Sequence, residues 1–373
     1  MESKSKISRK ASTYWCLTLL IPFFCLRGFV GYDWLGYYPV FENVDDLFHF
    51  SSKSFTVAIV GAGDVDLVEP GFIIYASFIK TFFDSWEVFV FITTLIPIVA
   101  ITIFIKHYSS NIALSYTLFY SLYSVILIDL MRNGLAISVF LFLLVYRENI
   151  KIIPLLLWCL IGISFHRSFL ILIPFLFIKT YLPSMRIVWM LFIVVNVLFL
   201  LQIPLLKIFL ALLDPLLSNG NASAIIENYS NKDEFSSARG ITIGYFIRVF
   251  VFLVISVYSS KLYKEKTLTG LINAYFCYVF ISIGMSDMRV FVDRMEFVFF
   301  FPFVILYPYL LNIMKPCPRF IFAMFLFMFC SLKVYQGHNT IMSEYYTMFS
   351  GKKFEDEYNF KHSIAYQIVE ESK

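Results

Sequence analysis

Residues 87–105 read EVFVFITTLIPIVAITIFI, a stretch whose single charged residue, Glu87, stands at its start. An α-helix needs about 20 consecutive, mostly apolar residues to cross the hydrocarbon core of a bilayer, and this stretch meets that requirement. Similar apolar runs recur near 12–30, 112–128, 133–146, 152–165, 168–181, 187–212, 241–258, 268–284, 297–313 and 320–334. They predict an all-α, polytopic integral membrane bundle of about 11–12 transmembrane helices. The predicted organisation is one membrane domain, residues 1–334, and a polar C-terminal tail, 335–373, that is solvated or amphipathic.

The composition excludes most soluble classes. Hydrophobic residues make up 59% of the 373 residues, aromatic residues 20% and charged residues only 15%. A soluble protein of this composition would expose large apolar patches, which soluble monomers avoid. The six cysteines form no CxxC pair, so the sequence gives no indication of a zinc site or a disulfide framework. No Walker, dinucleotide-binding or nucleophile-elbow motif indicates an ATPase, a redox enzyme or a serine hydrolase.

The basic residues predict the sidedness of the chain. Four of them precede the first apolar run and place the N-terminus in the cytoplasm by the positive-inside rule. The sidedness of the later spans depends on whether the short apolar segment 71–83 crosses the membrane. If it does not cross, the short basic turns all lie on the cytoplasmic side, which favours eleven spans. Two long loops, 31–70 and 213–240, then lie on the external face. The residues of the N-terminal segment are Lys4, Lys6, Arg9 and Lys10, and those of the basic turns are Lys106, His107, Arg147, Lys151, Lys179, Arg186, Lys261, Lys264, Lys266, Lys315 and Arg319.

Arginine side chains stand at several helix ends on the predicted external face. Arginine suits a diphosphate because its planar guanidinium stays charged and donates parallel hydrogen bonds. The alternative for an arginine at a helix end is an interfacial anchor that reaches phospholipid headgroups. Arg248 differs, because it lies inside the run 241–258, where an unpaired charge costs about 2.5–3.5 kcal/mol. The candidate phosphate ligands are Arg132, Arg167, Arg248, Arg289 and Arg294.

A proton acceptor is predicted on the same face. His166 ends a predicted span, and a histidine can take or give a proton near neutral pH. We predict His166 as the catalytic base and Asp33 as the second choice, with Glu69 as a further carboxylate. A structural hydrogen-bonding role is the alternative for His166. The motif Asp64-Val-Asp66 has the DxD form of metal-dependent glycosyltransferases, but nucleotide sugars are absent from the external face, so we interpret this match as chance.

Four short motifs follow one another along the chain. They are Asp33-Trp-Leu-Gly-Tyr37, Glu69-Pro-Gly71, Met131-Arg-Asn-Gly-Leu-Ala136 and Phe165-His-Arg-Ser168. In this order they resemble the EpsG-like branch of the Wzy-type polysaccharide polymerases, over roughly residues 30–310. Members of that branch usually have Arg-Gln where this chain has Arg132-Asn133, so the amide is kept on a shorter side chain. The combination of the arginine motif with the histidine motif is the most specific part of the resemblance.

The resemblance implies a GT-C-like enzyme of the bacterial inner membrane that polymerises O-antigen, capsular or exopolysaccharide repeat units at the periplasmic face. A glycan on undecaprenyl diphosphate is the donor, a hydroxyl of a second lipid-linked unit attacks the anomeric carbon, and the diphosphate leaves. Preorganised arginines stabilise the leaving charge, so neither a metal nor another cofactor is expected. The expected partners are the lipid-linked donor and acceptor, membrane lipid, a chain-length regulator and a flippase, and nucleic acid is not among them.

The predicted site residues follow from these arguments. Trp34, Tyr37 and Tyr38 are predicted to stack on sugar rings, with an interfacial aromatic belt as the alternative. The full prediction is His166 and Asp33 as catalytic residues, and Arg132, Asn133, Arg167, Arg248, Arg289, Arg294, Glu69 and Tyr37 as substrate-binding residues.

Two other functions compete with polymerisation. A flippase or transporter of lipid-linked oligosaccharides would carry charges deeper in several spans, a description that only Arg27, Lys80, Lys207 and Arg248 approach. A membrane acyltransferase would need a histidine reachable from the cytoplasm. His107 is the sole candidate for that role, which makes this function the third choice.

Overall fold

The computed structural model describes residues 2–56, 58–60, 65–177, 183–213, 240–287, 289–337, 345, 347, 349 and 358–363. Asp64 of the DxD match, most of the predicted loop 213–240 and most of the tail after residue 337 lie outside the described residues. The side chains of Asp66 and Arg289 also lie outside them, although both backbones are described.

Helices dominate the described residues. In chain order they are α1 (Glu2–Cys25), α2 (Trp34–Asn43), α3 (Pro70–Phe82), α4 (Trp86–Tyr108), α5 (Ile112–Tyr123), α6 (Val125–Ile128), α7 (Met131–Tyr146), α8 (Ile152–Phe165), α9 (Phe169–Leu172), α10 (Met185–Leu200), α11 (Leu205–Leu213), α12 (Ile243–Leu262), α13 (Thr269–Gly284), α14 (Arg289–Val298), α15 (Phe300–Ile313) and α16 (Pro316–Gly337). Short 3₁₀ helices cover Ser52–Thr56, Arg147–Asn149, Ile173–Leu176 and Lys266–Leu268. In the first long loop, β1 (Ala58–Val60) pairs antiparallel with β2 (Val65–Leu67).

The helices confirm a polytopic membrane protein. Four are long and apolar enough to cross a bilayer, and a pair bent by 62° makes a fifth if it acts as one span. The four are Trp86–Tyr108, Ile243–Leu262, Lys266–Gly284 and Pro316–Gln336, and the bent pair is Val292–Val298 with Phe300–Ile313. The shorter α8 turns large apolar side chains outward: Ile153 is 69% exposed and Leu160 is 61% exposed. Such a surface suits lipid rather than water.

Several predicted spans are broken, so the predicted number of eleven is not reached by helix length within the described residues. The run 187–212 divides into α10 and α11, because Gln202 takes a left-handed backbone conformation with φ 54° and Pro204 follows it. The run 112–128 breaks between α5 and α6 at Ser124. The mean hydropathy stays high across these breaks, so the sequence predicted each run as a single span.

The chain forms two compact units where the sequence predicted one domain and a tail. Residues 1–176 and 320–373 form unit 1, and residues 177–319 form unit 2. In unit 1, α4 packs against both α1 and α7, and α3 packs against α8. In unit 2, α13 packs against α10, α12 and α15.

The two ends of unit 1 differ in charge. Arg9 on α1 donates to the carbonyls of Ser109 (2.9 Å) and Lys106 (2.8 Å) just after and near the end of α4. Tyr108 donates to the carbonyl of Leu144 on α7 at 3.1 Å. The start of α1 therefore lies at the same end as the last turns of α4 and α7, together with their basic residues. The motif residues at the start of α7 lie at the opposite end of that helix.

An aromatic core holds the motif end of unit 1 together. Its fully buried members include Trp34, Phe72 and Phe89, and the ring of Tyr358 from the C-terminal tail packs against it. Lys361 is also fully buried and donates from Nζ to the carbonyl of Phe29. This part of the tail is therefore packed into unit 1 and is not solvated.

One glycine lets α3 approach α8 closely. A Cβ added at Gly71 would lie 2.2 Å from Ser164 Oγ and 2.7 Å from the Ser164 carbonyl oxygen, both shorter than any real contact. The Glu69-Pro-Gly71 motif thus presses the start of α3 against the last turn of α8. This contact brings Glu69 next to the histidine motif.

We expect Gly71→Ala to destabilise unit 1 by about 1–3 kcal/mol, because the added methyl must push α3 away from backbone atoms of α8. The measurement is thermal unfolding of the purified protein in detergent. Gly240→Ala is the matched control, since a Cβ there meets nothing within 4 Å. Equal unfolding temperatures for Gly71→Ala and the unaltered protein would contradict the close approach.

Candidate functional site

An ion pair joins two of the motifs. Arg132 Nη1 lies 2.6 Å from Glu69 Oε2, and Arg132 Nε donates to the hydroxyl of Tyr37 at 3.1 Å. The guanidinium carbon also lies 5.6 Å from the centre of the Tyr37 ring. Three motifs that are far apart in sequence therefore meet at one side chain. We call Asp33, Tyr37, Glu69 and Arg132 the arginine cluster.

Local sequence positions each member of the arginine cluster. Pro70 occupies the first turn of α3, which fixes the helix start and holds Glu69 in an extended conformation with ψ 140°. Tyr37 lies one turn after Asp33 on α2, so both face the same side of that helix. Arg132 lies in the first turn of α7, where the helix N-terminus adds partial positive charge. The guanidinium of Arg132 therefore projects from the start of α7 and is paired with the carboxylate of Glu69.

The ion pair is largely shielded from water. The side chains of Arg132 and Glu69 are 12% and 9% exposed, so each charge depends on the other. Burial raises the pKa of the Tyr37 hydroxyl, and the nearby carboxylate of Asp33 raises it further. Tyr37 therefore stays a neutral phenol and serves as a hydrogen-bond partner rather than a proton acceptor. Its ring is 4% exposed and that of Trp34 is 2% exposed, which conflicts with the predicted stacking of these rings on sugars.

Asp129 fixes the backbone that leads into α2 and the arginine cluster. Its Oδ1 accepts the backbone N–H groups of Tyr32 (2.7 Å) and Asp33 (3.2 Å). Gly31 has φ +88°, and a Cβ there would lie 2.0 Å from Asp129 Oδ1, so only glycine fits. Burial raises the pKa of the Asp129 carboxyl, while those two N–H bonds lower it. Asp129 thus fixes the backbone that carries Asp33.

The histidine motif contacts the residue next to Arg132. Ser168 Oγ donates to Asn133 Oδ1 at 2.8 Å, and the Ser168 backbone N–H donates to His166 Nδ1 at 3.0 Å. Asn133 is 7% exposed and His166 is half-buried. Phe165 packs against the core that also contains Tyr37 and Met131. The start of α7 and the turn before α9 therefore form one continuous region.

The predicted site residues divide between the two units. The residues in unit 1 come together as described, with Arg167 exposed on the same turn as His166. Arg248, Arg289 and Arg294 belong to unit 2. Arg294 is exposed, and Asp287 accepts the N–H groups of Leu206 (3.2 Å) and Lys207 (3.0 Å) at the start of α11.

Arg248 is the buried cation of unit 2. It is 7% exposed on α12, and its Nε has no hydrogen-bond partner among the described residues. Its Nη1 lies 3.6 Å from the place a Cβ would take at Gly244, one turn earlier, so the guanidinium turns back along the helix. An unsatisfied buried donor is costly. Arg248 therefore remains a candidate anion ligand within unit 2.

Two residues of this region were not assigned roles from the sequence. Asp129 lies two residues before the arginine motif and Ser168 ends the histidine motif, but the bonds of these two residues join positions that are far apart in the chain. Their only sequence signal was their place beside Arg132 and His166. Among the described residues, no group of three or more His, Cys, Asp or Glu side chains is placed to hold a metal ion.

Comparison with known proteins identifies the family. The family model described as the EpsG family matches residues 12–349. Neither a curated protein nor a solved structure matches the chain at the significance required. The matched range contains all four motifs, all of unit 2 and most of unit 1, and family membership indicates a role of the polysaccharide-polymerase type. The chain belongs to the EpsG family.

Proposed function

We propose that this protein is a membrane glycosyltransferase that joins lipid-diphosphate-linked oligosaccharide repeat units into O-antigen, capsular polysaccharide or exopolysaccharide. The carrier lipid is undecaprenyl diphosphate, and the reaction takes place at the external face of the bacterial inner membrane, with the N-terminus in the cytoplasm. A flippase would supply the repeat units and a chain-length regulator would act on the product.

The observation that carries the proposal is the anchored guanidinium of Arg132. Its Nε donates to Tyr37 and its Nη1 to Glu69, and these bonds fix the plane of the group. A fixed cation at a helix start costs no reorganisation when a diphosphate charge develops beside it. Arg167 on the neighbouring turn supplies a second positive charge near the same end of unit 1.

The reaction needs charge stabilisation more than covalent chemistry. The bond between the anomeric carbon and the donor diphosphate breaks, and the diphosphate leaves with the electron pair. The acceptor hydroxyl forms the new bond to the anomeric carbon and gives its proton to a base. Interactions that strengthen as the diphosphate gains charge accelerate this step selectively. Arg132, Asn133 and Arg167 are the proposed ligands in unit 1, and Arg248, Arg289 and Arg294 are the proposed ligands in unit 2.

The flippase alternative loses support from the same contacts. Arg27 is 2% exposed, but its guanidinium donates to the carbonyl of Phe24 (2.7 Å) and to Thr94 Oγ1 (2.6 Å). Lys80 donates to the carbonyls of Phe41 (3.1 Å) and Glu42 (2.7 Å). Both charges are bonded to carbonyl or hydroxyl oxygens of unit 1. Of Arg27, Lys80 and Arg248, the last is thus the better candidate for a ligand.

We expect Arg132→Ala to abolish polymerisation and Arg132→Lys to restore little of it, because lysine lacks the planar fork. The measurement is the length distribution of polymer from a deletion strain that expresses each variant at matched abundance. Arg186→Ala is the control, since Arg186 is exposed at the predicted cytoplasmic end of α10. Normal polymer from the Arg132→Ala protein would remove this residue from the site.

Loss of folding must be separated from loss of the ligand. Arg132→Ala leaves Glu69 buried without its partner, which costs about 3–5 kcal/mol. The double variant Arg132→Gln with Glu69→Gln removes both charges and keeps groups able to bond each other. We expect this variant to match the unaltered protein in thermal unfolding but to remain inactive. If the folded double variant makes polymer, the guanidinium is not required.

Deletion of the gene distinguishes the proposed function from its rivals. We expect the glycan on the cell surface to collapse from a ladder to a single repeat unit, because export persists while joining stops. Loss of the single unit as well would indicate a flippase. An unchanged ladder would indicate a decorating acyltransferase or an unrelated transporter. The measurement is gel separation of surface polysaccharide from deletion and complemented strains.

A further inference from the structure

Ser168 determines which nitrogen of His166 carries the hydrogen. A backbone N–H can only donate, so the 3.0 Å bond from Ser168 N to His166 Nδ1 requires an unprotonated Nδ1. In the neutral imidazole the hydrogen is then on Nε2. One nitrogen has its lone pair directed at the amide, and the other already carries a proton. This arrangement disfavours His166 as a base and makes its Nε2–H a hydrogen-bond donor.

Ser168 also orients the amide of Asn133. Its hydroxyl donates to Asn133 Oδ1 at 2.8 Å, which occupies the carbonyl end of the amide. The NH₂ end of Asn133 is then the end directed elsewhere, and it can only donate. Ser168 thus orients both His166 and Asn133 so that each presents a hydrogen-bond donor.

The polar groups of this region are therefore almost all donors. Arg132 and Arg167 donate only, and Asn133 and His166 donate as Ser168 orients them. A sugar hydroxyl both donates and accepts, whereas phosphate oxygens accept from every direction. The polarity of the region fits a diphosphate and does not fit an attacking hydroxyl.

We propose that Ser168 is a positioning residue which makes His166 Nε2–H and the Asn133 NH₂ group ligands of the leaving diphosphate, and that Asp33 is the base. This inference rests on the proposed function. The acceptor proton moves to the Asp33 carboxylate as the new glycosidic bond forms. The departing diphosphate takes the electron pair of the broken bond and stays bonded to His166, Asn133 and Arg132, so atoms and charges balance without a further reactant.

Asp33 has the position that a base requires. It is half-buried at the start of α2, its backbone N–H is fixed by Asp129 at 3.2 Å, and its carboxylate makes no capping bond to α2. Its charge acts on Tyr37, a direct partner of Arg132. The carboxylate therefore belongs to the arginine cluster, and its role as an acceptor complements the donors on the turn 166–168.

The decisive comparison is between His166→Gln and His166→Ala. The amide NH₂ of glutamine can replace the Nε2–H donor but cannot act as a base. With purified protein and the lipid-linked repeat units that accumulate in the deletion strain, we expect His166→Ala to lose about 10²–10³-fold in kcat/KM. We expect His166→Gln to stay within about tenfold of the unaltered protein, and Asp33→Asn to lose about 10²–10⁴-fold.

Further variants test the role of Ser168 itself. Ser168→Ala removes the hydroxyl but keeps the backbone N–H, so it should weaken inhibition by inorganic pyrophosphate, and Ser168→Thr should restore that inhibition. Asn133→Asp can still accept from Ser168, yet it should abolish inhibition by pyrophosphate because a carboxylate replaces the NH₂ donors. Ser138→Ala is the control, since Ser138 Oγ donates to the carbonyl of Gly134 on the same helix, at 2.6 Å.

The pH profile separates a base from a donor. We expect the acidic limb of the kcat/KM profile to persist in His166→Gln and to disappear in Asp33→Asn. Equal inactivity of folded His166→Gln and His166→Ala, with an active Asp33→Asn, would overturn the inference while the protein remained a polymerase. Absence of polymer formation by the unaltered protein would instead refute the proposed function.

Discussion

The structure at the motif end of unit 1 depends on the buried ion pair between Arg132 and Glu69. Two charges that are about nine-tenths buried cannot be separated without leaving one of them unpaired, at a cost of about 3–5 kcal/mol. The pair therefore forces the start of α3 against the start of α7. Gly71 allows α8 to follow, because no side chain stands between α3 and Ser164. Tyr37 then attaches α2 to the same guanidinium.

One short stretch of chain makes most of these connections. Asp129 accepts backbone N–H groups of the first loop, Arg132 holds α2 and α3, and Asn133 accepts from Ser168 before α9. Five residues thus organise three separate segments, each of which carries one motif. A substitution in this stretch is therefore expected to affect folding together with the proposed ligand binding. The two effects can be separated only by replacing both partners of a bond with neutral groups of similar size.

The sequence predicts part of this arrangement for clear physical reasons. Hydropathy located α4 almost to the residue, because an unbroken apolar run is a strong signal of a helix in a membrane. Hydropathy did not show the break at Gln202, because the backbone conformation of one residue does not change the mean hydropathy of the run. The motifs identified Arg132 and Glu69 separately, but no periodicity links residues 63 positions apart. Whether the arginines of unit 2 act with those of unit 1 stays a prediction.

The histidine shows why residue type alone does not determine a role. A histidine at a helix end can be a base, an acid or a donor, and the choice depends on what its other nitrogen contacts. Here that contact is a backbone N–H two residues later, which no side-chain pattern encodes. Glycosyl transfer with a diphosphate leaving group requires donors on the departing side and an acceptor on the attacking side. In the proposed reaction the turn 166–168 would supply the donors and Asp33 the acceptor. The motifs that carry these groups are bonded to Asp129, Arg132 and Asn133 within one unit.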